Sequence, residues 1–191
     1  MRIVSGIYKG RIIKAPDGLD TRPTIDRVRE SMISSLISRH GALEQSNVLD
    51  LFAGSGALGM ECISRGAASC TFCDKSKKAL ACIKTNIADL KIDSSIARVC
   101  NIDVMRSGIP AAKKPYGVVL LDPPYKIEPA TTLGLVSSAI AAGRIDEDAT
   151  IVYEYGSSSI SKTQEALEAL GFKVLSHKVY GSTCVDIIVK E

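Results

Sequence analysis

The stretch Leu121-Asp122-Pro123-Pro124-Tyr125 closes an apolar run, 118–121, with an acid, two prolines and an aromatic. The prolines stop a strand and stiffen the loop that follows it. An exocyclic amine on a nucleobase is a weak nucleophile because its lone pair is delocalised into the ring. Acceptors set against its two hydrogens favour the more tetrahedral nitrogen of a transition state. The Asp122 carboxylate and a carbonyl of Pro123 or Pro124 can supply two such acceptors, and Tyr125 can stack on a base turned out of its helix. This chemistry positions the amine without needing a strong base. Four residues make a weak signal alone, and their weight depends on where the chain puts them.

A second group of residues supplies that context. The run 48–52 carries Asp50 and enters Ala53-Gly54-Ser55-Gly56-Ala57-Leu58-Gly59, after which Leu58, Cys62 and Ile63 recur at helical spacing. This reads as strand, tight turn, helix. Gly54, Gly56 and Gly59 fit G-x-G-x-x-G, and Asp74 ends the next apolar run twenty residues after Gly54. Glycines admit a ligand close to the backbone, and an acid at that distance can accept from both hydroxyls of a ribose. NAD and S-adenosylmethionine both satisfy these features. Asp50 separates them, since a dinucleotide places its pyrophosphate at the helix amino terminus, where a carboxylate would repel it. Adenosylmethionine carries an ammonium and a sulfonium and no phosphate, so Asp50 complements it.

The elements that must position these residues follow from periodicity. Residues 1–20 form a small hairpin extension with apolar pairs around Gly6 and Gly10, carrying Tyr8, Lys9 and Arg11, and Pro16-Asp17-Gly18 turns the chain. Residues 21–40 hold a helix beside the cofactor pocket: Thr24 caps it after Arg22-Pro23, an apolar stripe runs through Ile25, Val28, Met32 and Leu36, and Arg27 and Arg29 occupy the other face. Residues 45–191 make the catalytic core. Its strands are expected at 48–52, 70–74, 96–100, 118–122 and 149–154, with helices ending near Arg65, over 76–90, 131–142 and 160–170. Two alternating strands, 173–180 and 184–189, close the chain as a hairpin. Asp103 follows the third strand, a third acid at a carboxyl edge. Strands alternating with helices imply parallel βαβ units, and the last hairpin adds one antiparallel strand. The expected fold is α/β: a doubly wound, Rossmann-like sheet of about seven strands in one domain, the class I adenosylmethionine-dependent methyltransferase fold.

Composition sets outer bounds. The chain has 191 residues, 46% of them hydrophobic, and a mildly positive mean hydropathy, as in an ordinary globular domain with an ample core. No apolar run reaches the roughly eighteen residues of a membrane span and no signal peptide opens the chain, so a cytoplasmic, non-membrane protein is expected. Six cysteines lie mostly within apolar segments, which suits reduced, buried thiols. Cys70 and Cys73 spell C-x-x-C, but on a strand they point to opposite faces and no partner pair lies at zinc spacing, so no metal is expected. Seven bases against four acids in residues 1–30 equal the whole formal charge of +3. Lys9, Arg11, Lys14 and Arg27 form a basic lobe suited to phosphate backbones.

Arg22-Pro-Thr-Ile-Asp-Arg-Val-Arg-Glu30, the block Leu49 through Gly59, Ser64-Arg-Gly-Ala67, Asn86, Asp122-Pro-Pro-Tyr125 and Tyr180-Gly-Ser-Thr183 resemble, in order and spacing, the RsmD family of bacterial small-subunit ribosomal RNA guanine methyltransferases. The resemblance covers nearly the whole chain. It departs from the family pattern at Asp74, where many relatives carry Glu, and at Met32-Ile33. It implies methylation of the 2-amino group of one guanine in 16S rRNA, presented in an assembled small-subunit particle; separately, a monomer is expected. The implied catalytic group is Asp122, Pro123, Pro124 and Tyr125. The cofactor set is Arg22, Thr24, Asp50, Ala53, Gly54, Ser55, Gly56, Asp74 and Asp103, with Arg22 able to reach either the cofactor carboxylate or an RNA phosphate. A DNA adenine or protein glutamine methyltransferase would use the same loop, and a non-catalytic RNA-binding relative would keep the fold.

Overall fold

The computed structural model describes residues 1–16 and 23–191, with the backbone alone for 23–27. Seven strands form one sheet in the order β3-β2-β1-β4-β5-β7-β6. They are β1 (Asn47–Leu51), β2 (Ser69–Asp74), β3 (Ala97–Asn101), β4 (Tyr116–Leu121), β5 (Ile145–Gly156), β6 (Phe172–Tyr180) and β7 (Thr183–Lys190). The helices are α1 (Pro23–His40), α2 (Ala57–Ser64), α3 (Lys77–Leu90), α4 (Val104–Ser107), α5 (Pro129–Ala141) and α6 (Ile160–Ala169). β1 pairs in parallel with both β2 and β4, and β4 with β5. β7 alone runs antiparallel, between β5 and β6. The strand order reverses between β1 and β4, and a crevice opens at the carboxyl ends of strands at such a switch point. Asp50 and Asp122 both belong to that edge.

Period-two alternation divides each central strand between two apolar layers. Val48, Cys70 and Val118 face a cluster with Val28, Met32, Ile33 and Leu36 of α1 and Met60 and Ile63 of α2. Leu49, Cys73 and Val119 face the opposite cluster with Leu133 and Val136 of α5 and Leu167 of α6. Cys70 and Cys73 thus lie on opposite faces of β2, as the strand reading requires. All six cysteines are free thiols.

Helix ends follow local chemistry. Ser76 caps α3, its side chain accepting from the Ala79 N–H, and Gly41 at φ +87° ends α1. The small amino-terminal hairpin is present, and two other expectations need correction. The amino-terminal hairpin is a single antiparallel bridge, Arg2 to Ile12, flanked by Ile3 N–H to Arg11 O and Ile13 N–H to Met1 O. The hairpin packs on α2, where Ser64 O accepts from Ile7 N–H and the Ser64 hydroxyl accepts from Tyr8 N–H. β5 begins at Ile145, several residues before the expected start. Its first part, Asp146-Glu147-Asp148, is too polar to resemble a strand. Arg29, expected on an exposed face, is 3% exposed and faces buried Glu61 of α2, with Nε to Oε1 at 3.7 Å.

Candidate active site

Two adjoining cavities occupy the crevice. The first, about 300 Å³, is lined by Asp50, Phe52, Ala53, Gly54 and Ser55 of the β1 turn, by Arg29 and Met32 of α1, and by Asp122, Glu154 and Thr183. The second, about 510 Å³, is lined by Asp74, Ser76, Ile102, Asp103, Asp122, Pro123, Pro124 and Tyr125. Phe52, Gly54, Asp122 and Glu154 line both, so they mark the junction. A ligand spanning the two cavities would therefore bring its middle to Asp122.

The glycines divide their work. Gly54, at φ +56°, has room for a side chain, and its N–H donates to Asp74 Oδ2 at 2.9 Å. Its open Cα face is where a ligand can approach. Gly56, at φ +76°, shapes the turn, and its position is crowded by Met60, Ile83 and Phe72. It lines neither cavity. A Cβ at Gly59 would lie 2.4 Å from Phe72 Cε1 and 2.6 Å from Cys70 Sγ, so this glycine seats α2 against β2. Phe52, between the cavities, holds a left-handed φ of 61°. A non-glycine residue in that region stores on the order of 1 kcal/mol of strain, a mark of functional turns.

Acids crowd the crevice. Asp50 is 2% exposed, and its Oδ2 accepts from the Gly59 N–H at 3.0 Å. Burial pushes its carboxyl up to about 8; the Gly59 bond opposes that shift, and the nearby Asp74 charge adds to it. Asp122 is raised well above the ordinary carboxylate range, first by burial and then by the charges of Glu154 and Asp50. Glu154 is raised by burial, against a hydrogen bond from Tyr125. An arrangement that holds carboxyls away from their charged state is stabilised by a cationic ligand and destabilised by an anionic one.

Besides Asp122 and Glu154, the second cavity is lined by two acids of the strand edge and by the half-exposed Tyr125 ring. Asp74 accepts from Gly54 N–H and, through Oδ1, from Ser76 N–H at 2.8 Å. Asp103 caps α4, accepting from Met105 N–H, and pairs with Lys75 Nζ at 3.2 Å. Each carboxylate retains lone pairs beyond these bonds. The Tyr125 hydroxyl donates to Glu154 Oε1 at 3.1 Å and shares a hydrogen bond with Thr183 Oγ1 at 2.9 Å. Its ring lies against Gly156, where a Cβ would sit 3.0 Å from Cδ2, yet 48% of the residue stays exposed.

Among the expected site residues, Asp50, Ala53, Gly54, Ser55, Asp74, Asp103 and the Asp122 to Tyr125 loop therefore meet around one crevice. Arg22 lies outside the described residues, as do the side chains of Thr24 and Arg27. Lys9 and Arg11 are exposed, Arg11 donating to Asp89 O, and Lys14 pairs with Asp89 at 2.8 Å. These bases sit on the amino-terminal segment and line neither cavity. The sequence assigns no site role to Glu154, Phe52 or Thr183, although Phe52 and Thr183 fall within blocks that carry the family resemblance. The one signal for Glu154 was an acid closing the strand beside that of Asp122. Asn86 is fully buried and joins two distant parts: its Nδ2 donates to Ser55 O and Lys14 O, each at 3.0 Å, and its Oδ1 accepts from Lys14 N–H at 2.8 Å.

Known proteins share this architecture. A Bacillus subtilis relative named YlbH, described as a candidate rRNA methyltransferase, is 38% identical over 193 residues, covering 100% of this chain and 99% of its own length. Ribosomal RNA small subunit methyltransferase D of Escherichia coli is 37% identical over 126 residues, 66% of this chain and 61% of that protein. The solved structure of an Escherichia coli protein described as a candidate methyltransferase, yhhF, superposes with a TM-score of 0.79 at 28% identity, covering 100% of this chain and 98% of that one. The sheet order and these neighbours give the class I methyltransferase fold. With the family described as conserved hypothetical protein 95 matching residues 1–189, the chain belongs to that family, the RsmD family.

Proposed function

We propose that this protein is an S-adenosylmethionine-dependent methyltransferase that modifies the 2-amino group of a guanine in small-subunit ribosomal RNA, with the RNA presented in an assembled particle. The observation carrying the reading is the junction of the two cavities, where Asp122 and Glu154 stand beside Asp50 with their charged forms disfavoured by burial. Such a site rejects a pyrophosphate and favours a ligand with positive charge. The donor set fits adenosylmethionine: Asp74 and Asp103 would hold the ribose and base end, and Asp50, Ala53, Gly54 and Ser55 the amino-acid end. Bound there, the cofactor supplies a methyl group already activated by a positive sulfur.

The chain's own task is alignment. Asp122 and a proline carbonyl accept from the two hydrogens of the amine and turn its lone pair toward the junction. Half-exposed Tyr125 provides a face on which an extruded base can stack, its hydroxyl held by Glu154 and Thr183. Correct placement of the reacting atoms accounts for much of the rate in such a transfer. The small-subunit RNA assignment is supported by the names of the relatives and by the basic amino-terminal segment.

The test is transfer of labelled methyl to small-subunit particles from cells lacking this activity, with the product nucleoside identified by mass spectrometry. N2-methylguanine is expected. Asp122→Ala should lower the rate about a hundredfold or more, since it removes an acceptor used chiefly in the transition state. A methylated adenine, a methylated protein or near-normal turnover by Asp122→Ala would overturn the reading.

A further inference from the structure

Glu154 lines both cavities at the point where they meet, yet the amine chemistry above assigns it nothing beyond holding Tyr125. β4 and β5 pair in parallel with Leu121 opposite Tyr153, so the next residues, Asp122 and Glu154, emerge side by side at the sheet edge. The Glu154 charge helps to raise the Asp122 carboxyl, which fits that proximity. Glu154 is fixed on one side only: Oε1 accepts from the Tyr125 hydroxyl at 3.1 Å, and among the described residues Oε2 accepts no hydrogen bond. Gly156 seats the Tyr125 ring against β5 and thereby aims that hydroxyl at Glu154.

We infer that Glu154 selects the base, its open carboxylate oxygen accepting the ring N1–H of guanine while Asp122 holds the neighbouring 2-amino group. The inference rests on the amine-methylation reading and adds the group that distinguishes guanine from the other bases. Among the four bases with or without an exocyclic amine, only guanine places a ring N–H next to one. Burial raises Glu154 toward its neutral form, and the positive charge of a cofactor bound at the junction favours its carboxylate, which repels the ring-nitrogen lone pair that adenine and cytosine present there. Two adjacent carboxyls thus match two adjacent donors on one edge of guanine. A site built to accept a hydrogen bond rejects an analogue lacking the donor because its own polar group is left unpaired.

The experiment compares particles reconstituted with synthetic RNA carrying guanine, or 2-aminopurine, at the position found to be methylated. 2-Aminopurine keeps the amine and replaces N1–H by a lone pair. The parent enzyme is expected to prefer guanine by about 10- to 100-fold in kcat/KM, the range of a hydrogen bond to a charged group. Glu154→Gln keeps an oxygen for Tyr125 and presents an amide N–H to the base, so its preference for guanine over 2-aminopurine should fall by about tenfold or more. Glu154→Asp, which retains the charge, should lose rate and keep the preference. Equal use of both substrates by the parent enzyme, or an unchanged preference in Glu154→Gln, overturns the inference. The first result does so whether or not the variant folds. A parent product other than N2-methylguanine would instead remove the reading beneath it.

Discussion

Replacing Asp50 by Asn should stabilise the empty protein while weakening its hold on the cofactor. Asp50 is 2% exposed, and burial raises its carboxyl from an ordinary 3.8 to about 8. Between those values the unfolded chain releases a proton that the folded chain retains, so stability falls as pH rises. Each unit costs about 1.4 kcal/mol, and by pH 7 the accumulated loss reaches about 4 kcal/mol, a ceiling that local relaxation lowers. Asn is neutral and can still accept from the Gly59 N–H, which Asp50 Oδ2 meets at 3.0 Å. Asp50→Asn should therefore match the parent near pH 4 and exceed it at pH 8, with a melting temperature higher by up to roughly 10 °C for a domain of this size. Adenosylmethionine affinity of the parent should rise with pH toward 8, because the cation favours the ionised carboxyl; the variant should bind more weakly and lose much of that slope. Thermal melts across pH 4 to 8, with calorimetry in buffers of different ionisation enthalpy, read both effects. Parallel melting curves for parent and variant at every pH would refute the argument.

Asp74→Ala should weaken adenosylmethionine binding by about 1.5–3 kcal/mol in calorimetry, the worth of a hydrogen bond to a charged acceptor, with RNA affinity nearly unchanged. Gly59→Ala should cost about 1–3 kcal/mol in denaturant melts, because its methyl would meet Phe72 Cε1 at 2.4 Å and Cys70 Sγ at 2.6 Å on a buried interface; wild-type stability would show that α2 can shift freely. Reversing Lys9, Arg11 and Lys14 should flatten the salt dependence of particle binding by about one unit of slope for each phosphate no longer neutralised, with cofactor affinity unchanged. An unaltered slope would make that segment a brace for α2 and α3.

Much of the fold was legible because it is written in local patterns. The runs 48–52, 70–74 and 118–122 are mostly apolar on both faces, as buried parallel strands must be, and each is followed within two residues by a glycine, proline or capping residue that stops it. The missing parts depend on partners far away in sequence. Arg29 looked solvent-facing beside an apolar stripe, and only the packing of α1 on α2 brings Glu61 against it. α4 spans four residues, too few to show a period, and exists because Asp103 caps it. Glu154 stood at the end of its predicted strand with no motif around it. Its place beside Asp122 is fixed by the β4–β5 register, which single-strand reading does not contain.

Asn86 makes the amino-terminal segment and the glycine turn mechanically one object. Through three hydrogen bonds a single buried amide ties the backbone of Lys14 to the carbonyl of Ser55. If particle docking orders Lys14 and the cofactor rests on the Ser55 loop, the first ligand to arrive bears an ordering cost that the second is then spared. Thermodynamic linkage makes this reciprocal: if the small-subunit particle tightens cofactor binding by some factor, the cofactor must tighten particle binding by the same factor.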